Sequence, residues 1–179
     1  MTSKVNIVPG WCADRIKRNK NAIIVLNGQT GSGKSWAGLR LGEDIAERLG
    51  TNFTVEHNVD FTFTGLLRKT MLPQNQKPGT VFLFEEVGAV GGGGSSRDWQ
   101  SKNNKFFVSW AQTTRHRNQI LLFTTPMLSY LDVAARNLIH MQLIMKGINT
   151  RKKVGLVRPY VLQTNPTTGK QYFKLIRIK

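Results

Sequence analysis

Acidic residues are scarce in this chain, and they nearly vanish from its second half. Among 179 residues, 26 Lys and Arg stand against 10 Asp and Glu, a net charge of +16. Through Glu86 there are 11 basic and 8 acidic residues; beyond it, 15 basic residues are opposed only by Asp98 and Asp132. An imbalance of that sign attracts polyanions, nucleic acid first, through counterion release that needs no base sequence. Cysteine is represented once, by Cys12, so neither an internal disulfide nor a thiolate metal cluster is available, in keeping with a reducing, cytoplasmic setting. Long apolar runs are missing too. Ala22 to Leu26 and Ile120 to Phe123 fall far short of the ~20 residues that cross a bilayer, and no basic amphipathic helix offers itself to a membrane surface. The N-terminus passes through Lys4, Pro9 and Asp14 without the apolar core of a secretory signal. His57, His116 and His140 lack metal-ligand spacing and read as structural or surface residues. The length suits one domain with a full core.

What is present centres on Gly28-Gln29-Thr30-Gly31-Ser32-Gly33-Lys34-Ser35, which satisfies the phosphate-binding pattern G-x-x-x-x-G-K-[ST]. It follows the apolar run Ala22 to Asn27 and precedes apolar residues at helical spacing (Trp36, Ala37, Leu39, Leu41, Ile45, Ala46, Leu49), with Gly50 as the stop. Strand, glycine loop and helix are thus in order. Glycines let the backbone N–H groups converge on phosphate oxygens, and the helix beginning near Lys34 adds its positive end. Lys34 is expected to reach the β- and γ-phosphates and Ser35 to help hold Mg²⁺; Gly28 through Trp36 is the candidate nucleotide-binding stretch.

A second landmark is Thr80 to Glu86, an apolar strand ending in two carboxylates, where an open α/β sheet places its ligands. Glu85 occupies the Mg²⁺-supporting position, usually Asp in such sites. Glu86 stands where a general base would polarise water. A further buried strand, Gln119 to Thr125, ends in Thr124-Thr125-Pro126; its hydroxyls either sense the γ-phosphate and water or simply satisfy a strand end. The remaining pattern predicts a short helix over about Gly10 to Asn21, one or two strands within Thr51 to Phe63, and a short helix around Leu66 to Met71. Beyond Glu86 it predicts a helix over Asp98 to Thr113, another over Leu131 to His140, and a strand over Met141 to Ile148. Gly88 to Ser96 is too glycine-rich for a regular element and is either a loop beside the nucleotide or an inert connection. Val154 to Gln163 and Gln171 to Ile178, around Asn165-Pro166-Thr167-Thr168-Gly169, read as a basic β-hairpin. Arg151, Lys152, Lys153, Arg158, Lys170, Lys174, Arg177 and Lys179 are its candidate nucleic-acid contacts, with Tyr160, Tyr172 and Phe173 available to stack on bases or pack a core.

The organisation expected is one α/β domain, a three-layer P-loop NTPase sheet flanked by helices. Residues 1–21 form an N-terminal helix and turn, 22–150 the nucleotide-binding core, and 151–179 the basic hairpin. The phosphate loop, the later carboxylates Glu85 and Glu86 and the polar strand tip resemble the P-loop ATPases that carry an extra strand between the two motifs. The segment Ser96 to Lys105, then Thr114-Arg115-His116-Arg117, the strand Ile120 to Thr125 and Gln163 to Pro166 with Gly169-Lys170 look like the small ATPases of archaeal viruses and plasmids, related to the Zot-like and HerA/FtsK groups of DNA-pumping motors. That resemblance implies ATP and Mg²⁺ as cofactors, DNA as partner, a homo-oligomeric, hexameric ring, and an arginine finger crossing between subunits, with Arg97, Arg115 and Arg117 as candidates. It makes a DNA translocase or packaging motor the leading reading, and a nucleotide-gated DNA-binding module the alternative. A small-molecule kinase has no need of the +16 charge, and no N-K-x-D guanine-reading motif is present, since Asn104-Lys105 runs into Phe106-Phe107. Two departures from the family pattern are Glu85 in place of Asp and Thr125 where many such motors carry Gln.

Overall fold

The structure is a computed structural model describing residues 7–85, 109–110, 114–131, 133–149, 151, 154–165, 167–168 and 170–176. The first helix, α1 (Ile7–Lys17), precedes β1 (Ala22–Asn27), and the glycine loop then leads into α2 (Lys34–Leu49). Next come α3 (Val55–Asn58), β2 (Val59–Asp60), α4 (Phe63–Thr70) and β3 (Val81–Phe84). The chain continues through β4 (Ile120–Thr125), α5 (Val133–Asn137), β5 (Met141–Asn149), β6 (Val154–Thr164) and β7 (Gln171–Leu175).

These strands make one seven-stranded sheet in the order β2-β3-β4-β1-β5-β6-β7. From β2 to β5 every pairing is parallel; β6 and β7 continue it antiparallel. Alternation sends successive side chains to opposite faces. Ile23, Val25, Phe82, Phe84, Leu121 and Phe123 pack with Leu66 of α4, Trp110, Leu131 and Ala135 of α5. Ile24, Leu26, Val81, Leu83, Ile120 and Leu122 pack with Cys12 of α1 and with Ile45 and Ala46 of α2. The result is three layers, which is why the central strands are apolar without interruption. Burial pushes the Cys12 thiol up to about 12, and the residue serves as a small apolar filler.

Of the one or two strands expected between Thr51 and Phe63, one forms, and it is confined to the two residues Val59–Asp60. The Thr54 side chain accepts a hydrogen bond from the His57 backbone N–H, capping a helical turn. The alternating aromatics do not share a strand face. Phe53 lies against Gly42 of α2, Phe61 is exposed, and Phe63 meets Phe84 with ring centroids 4.2 Å apart. The helix expected over Leu131 to His140 contracts to Val133–Asn137, preceded by a 3-10 turn at Leu128–Tyr130. The one expected over Asp98 to Thr113 and the loop Gly88 to Ser96 lie essentially outside the described residues. The C-terminal hairpin forms as expected, and β6 pairs with β5 from Met141↔Val161 to Asn149↔Val154, so it widens the sheet.

Candidate functional site

Parallel registers Asn27↔Thr125 and Phe84↔Phe123 bring the carboxyl ends of β1, β3 and β4 to the same edge of the sheet. The loop after β1 turns there through Gly31 at φ 79° and Gly33 at φ 86°, conformations that a side chain resists. Lys34 opens α2 and is buried. Its ammonium donates to the carbonyls of Gly28 at 2.9 Å and Gln29 at 3.0 Å, curling the loop around its own cation. The Ser32 hydroxyl oxygen is buried and has no hydrogen-bond partner among the described residues. A preformed concavity containing a cation and an unused hydroxyl is suited to an anion with several oxygens.

Strand alternation also explains what stands opposite the loop. Leu83 and Leu122 face α2, whereas Phe84 and Phe123 face the other layer. Glu85 and Thr124, one residue further along neighbouring strands, therefore return to the α2 side. There Glu85 is 4% exposed, and its Oε2 accepts from the Ser35 hydroxyl at 3.0 Å and the Thr124 hydroxyl at 2.9 Å. Its Oε1 is buried with no hydrogen-bond partner among the described residues. Gly38 lets α2 come this close, since a Cβ there would sit 3.0 Å from the Leu83 side chain.

A buried carboxylate oxygen without a donor is costly unless a cation or donor meets it. Glu85 Oε1 and the lone pairs of Ser35 Oγ are hard oxygen donors of the kind Mg²⁺ takes, so the residues present fit that ion. Thr125 points elsewhere: its hydroxyl donates to the Met127 carbonyl at 3.0 Å, on the face away from Glu85. Glu86 and Arg97 lie outside the described residues.

The remaining candidates are scattered. Arg115 and Arg117 precede β4, at the end of the sheet opposite the loop, and Arg117 donates to the Thr70 carbonyl at 3.2 Å. Arg151 sits in the β5–β6 turn on the loop side, Lys170 beside the opposite turn, and both are exposed. Arg158 pairs with Ile144 and Lys174 with Val161, which places these two on opposite faces of the hairpin. Tyr160 and Phe173 meet edge to face at 6.4 Å. Lys152, Lys153, Arg177 and Lys179 lie outside the described residues.

A cavity of about 890 Å³ escaped the motif reading. It opens beside Gly33 and Trp36 and runs between α2, the start of α1 (Ile7, Val8, Pro9), β5 (Ile148) and β6 of the hairpin (Val154, Val157, Pro159). Its walls are apolar apart from Arg40 and Asp44, which pair with each other at 2.9 Å. Trp36, 78% exposed, stands on its rim. Nothing local marks these residues, because three distant elements build the wall. The β5 end also supports the loop: a Cβ on Gly28 would meet Met145 at 2.8 Å, and one on Gly33 would meet Ile148 at 3.0 Å.

The seven-stranded sheet with its loop, flanking helices and strand-end carboxylate has the fold of the P-loop NTPases. Among solved structures, the chain is similar to the genome packaging NTPase B204 of Sulfolobus turreted icosahedral virus 2 in complex with AMP, with 11% identity, coverage of 88% of this chain and 98% of that one, and a TM-score of 0.50. It is also similar to the N-terminal domain of zonular occludens toxin from Neisseria meningitidis, with 13% identity, coverage of 89% and 95%, and a TM-score of 0.44. The KaiC-like protein PH0186 from Pyrococcus horikoshii OT3 gives 14% identity, coverage of 87% and 84%, and a TM-score of 0.47. No protein-family model and no curated protein matches the chain. At these identities the likeness is one of fold. Among the described residues no helix is long and apolar enough to cross a membrane.

Proposed function

We propose that this chain is an ATP-hydrolysing, DNA-handling motor of the translocase or packaging kind, working in the cytoplasm. The observation that carries the nucleotide half of this reading is the buried Glu85, held from one side by Ser35 and Thr124 with Oε1 left over. The loop from Gly28 to Ser35 receives the phosphates, Lys34 leaves its own loop carbonyls for their oxygens, and Ser32 adds a donor. Ser35 and Glu85 hold Mg²⁺, which when bound neutralises charge on the phosphate oxygens. Glu86 takes the proton from the attacking water. The apolar cavity beside Gly33 accommodates the base and ribose, with Trp36 at its edge.

The DNA half rests on charge. The only acidic residues after Glu86 are Asp98 and Asp132, and Arg158 and Lys174 project from both faces of the terminal hairpin. An arginine completing the site comes from a neighbouring copy in a hexameric ring. The placement of Arg115 and Arg117 at the far end of their own sheet supports this for those two candidates, and Arg97 lies outside the described residues. The NTPase B204, similar in fold at 11% identity, is a genome packaging enzyme, which supports the packaging form of this reading. ATP turnover measured with and without duplex or single-stranded DNA tests both halves together. DNA is expected to stimulate hydrolysis, and Glu86→Gln to retain ATP while turnover nearly stops. Hydrolysis indifferent to DNA would leave a nucleotide-gated module as the better description, and absence of ATP binding would remove the nucleotide half.

A further inference from the structure

Glu85 carries one more rotatable bond than the aspartate usual at its position, and a longer carboxylate arm must be pinned before it can present an oxygen reproducibly. The pin is visible in the structure. Thr124 Oγ1 donates to Glu85 Oε2 at 2.9 Å, and Ser35 Oγ donates to the same oxygen at 3.0 Å, so both bonds converge on Oε2 and none of the described residues bonds Oε1. Ser35 lies in the first turn of α2, behind the loop. Thr124 is the rigid member of the pair: it is fully buried, β-branched, and carried by β4, which is hydrogen-bonded to β3 on one side and β1 on the other.

We propose that Thr124 is a positioning residue for Glu85, fixing Oε2 so that Oε1 is the oxygen offered to a divalent cation; this rests on the nucleotide-site reading above. A hydroxyl has one hydrogen and two lone pairs. Ser35 therefore keeps its hydrogen bond to Oε2 while its lone pairs serve as metal donors, and Thr124 steadies the carboxylate in either state. The role differs from direct sensing of the γ-phosphate by the strand tip. It also separates the two neighbouring threonines, because Thr125 Oγ1 is committed to the Met127 carbonyl on the other face. Glu85 and Thr124 act as a matched pair: the longer acid reaches the β4 hydroxyl, and a shorter acid at the same backbone position falls short of it.

The test is Mn²⁺ titration of the full chain with ADP, read by electron paramagnetic resonance, alongside ADP binding in EDTA and thermal melts. Thr124→Val is expected to weaken Mn²⁺ binding by roughly 10- to 100-fold, the usual cost of losing a group that orients a metal ligand, while ADP affinity in EDTA stays as in the wild type. Thr124→Ser should restore Mn²⁺ binding. In a Glu85→Asp background, Thr124→Val should add no further loss. If the valine methyl unfolds the chain, Thr124→Ala reads the same loss without added bulk. Wild-type Mn²⁺ affinity in Thr124→Val, or an equal loss in the Glu85→Asp background, overturns the inference and returns Thr124 to phosphate sensing. A wild-type chain that takes up no Mn²⁺ with nucleotide overturns the nucleotide-site reading itself.

Discussion

Along β4 every residue from Ile120 to Thr125 is buried, sandwiched between α1 and α2 on one face and α4 and α5 on the other. Across β5 the same sheet continues into β6 and β7, where Leu156, Phe173 and Leu175 are each about half exposed. One region is a closed scaffold that aims Ser35, Glu85 and Thr124 at a common point. Although β6 also walls the cavity against α1 and α2, the other region carries exposed basic and aromatic side chains on both faces, as an antiparallel sheet can and a parallel one rarely does. Rigid chemistry and an exposed charged surface thus share one hydrogen-bonded framework, and β5 belongs to both. Its far end packs Met145 and Ile148 against Gly28 and Gly33 of the glycine loop.

The contrast is broken most severely from within the scaffold. Phe123→Ala, at a fully buried position on β4, should cost about 3–5 kcal/mol in denaturant unfolding. Phe173→Ala on the half-exposed hairpin should cost about 1 kcal/mol, in proportion to the apolar area it keeps from water. Equal losses would show that the hairpin is as tightly packed as the core.

A smaller effect comes from His140, which joins the two regions. Its Nδ1 accepts from the Ile23 N–H at 3.0 Å, its own N–H donates to the Ile23 carbonyl, and its carbonyl accepts from Leu162. Burial, helped by the charges of Arg15 and Arg115, lowers its pKa from 6.5 to about 3. The unfolded chain then binds the proton more readily, so the stability present above pH 6.5 is lost as pH falls towards 3. The slope from this residue is at most about 1.4 kcal/mol per pH unit. Acid unfolding monitored by circular dichroism should therefore be less pH-dependent over that window in His140→Asn, whose amide oxygen can replace the acceptor. An unchanged profile would remove His140 as the acid-sensitive joint.

The smallest effect sharpens the description of the open region. Arg158→Ala and Lys174→Ala lie on opposite hairpin faces. If one face meets DNA, only one of them should lower the slope of log affinity against log salt, by about 0.7–0.9 per lost phosphate contact. A change in both slopes means that the strand wraps the hairpin edge, and a change in neither moves the binding surface elsewhere.

Much of the scaffold was legible in the order of residues. The loop Gly28 to Ser35, the apolar strands ending at Glu85 and Thr125, and the hairpin about Asn165 are local patterns whose chemistry depends on neighbours in the chain. In the stretch Thr51 to Phe63 the alternating aromatics suggest more strand than the two residues Val59–Asp60 supply. Thr54 caps a helical turn instead, and Phe53 and Phe63 find separate partners on α2 and β3. The cavity beside Gly33 left no trace, since Ile7, Trp36 and Val157 are far apart in sequence.

The amino-acid sequence by itself determined the glycine loop between a strand and a helix, the carboxylate that follows an apolar strand, and the basic character of the second half, because spacing and composition suffice for each. Only the tertiary structure decided that Thr124 and not Thr125 hydrogen-bonds Glu85, that Arg115 and Arg117 lie at the opposite end of the sheet from their own loop, and that Arg158 and Lys174 face apart. The reason is register. Which face a strand residue occupies, and which residue lies beside it, is settled by the pairing of β1, β3 and β4 and by the helices that cover them, interactions between segments that the linear order does not contain.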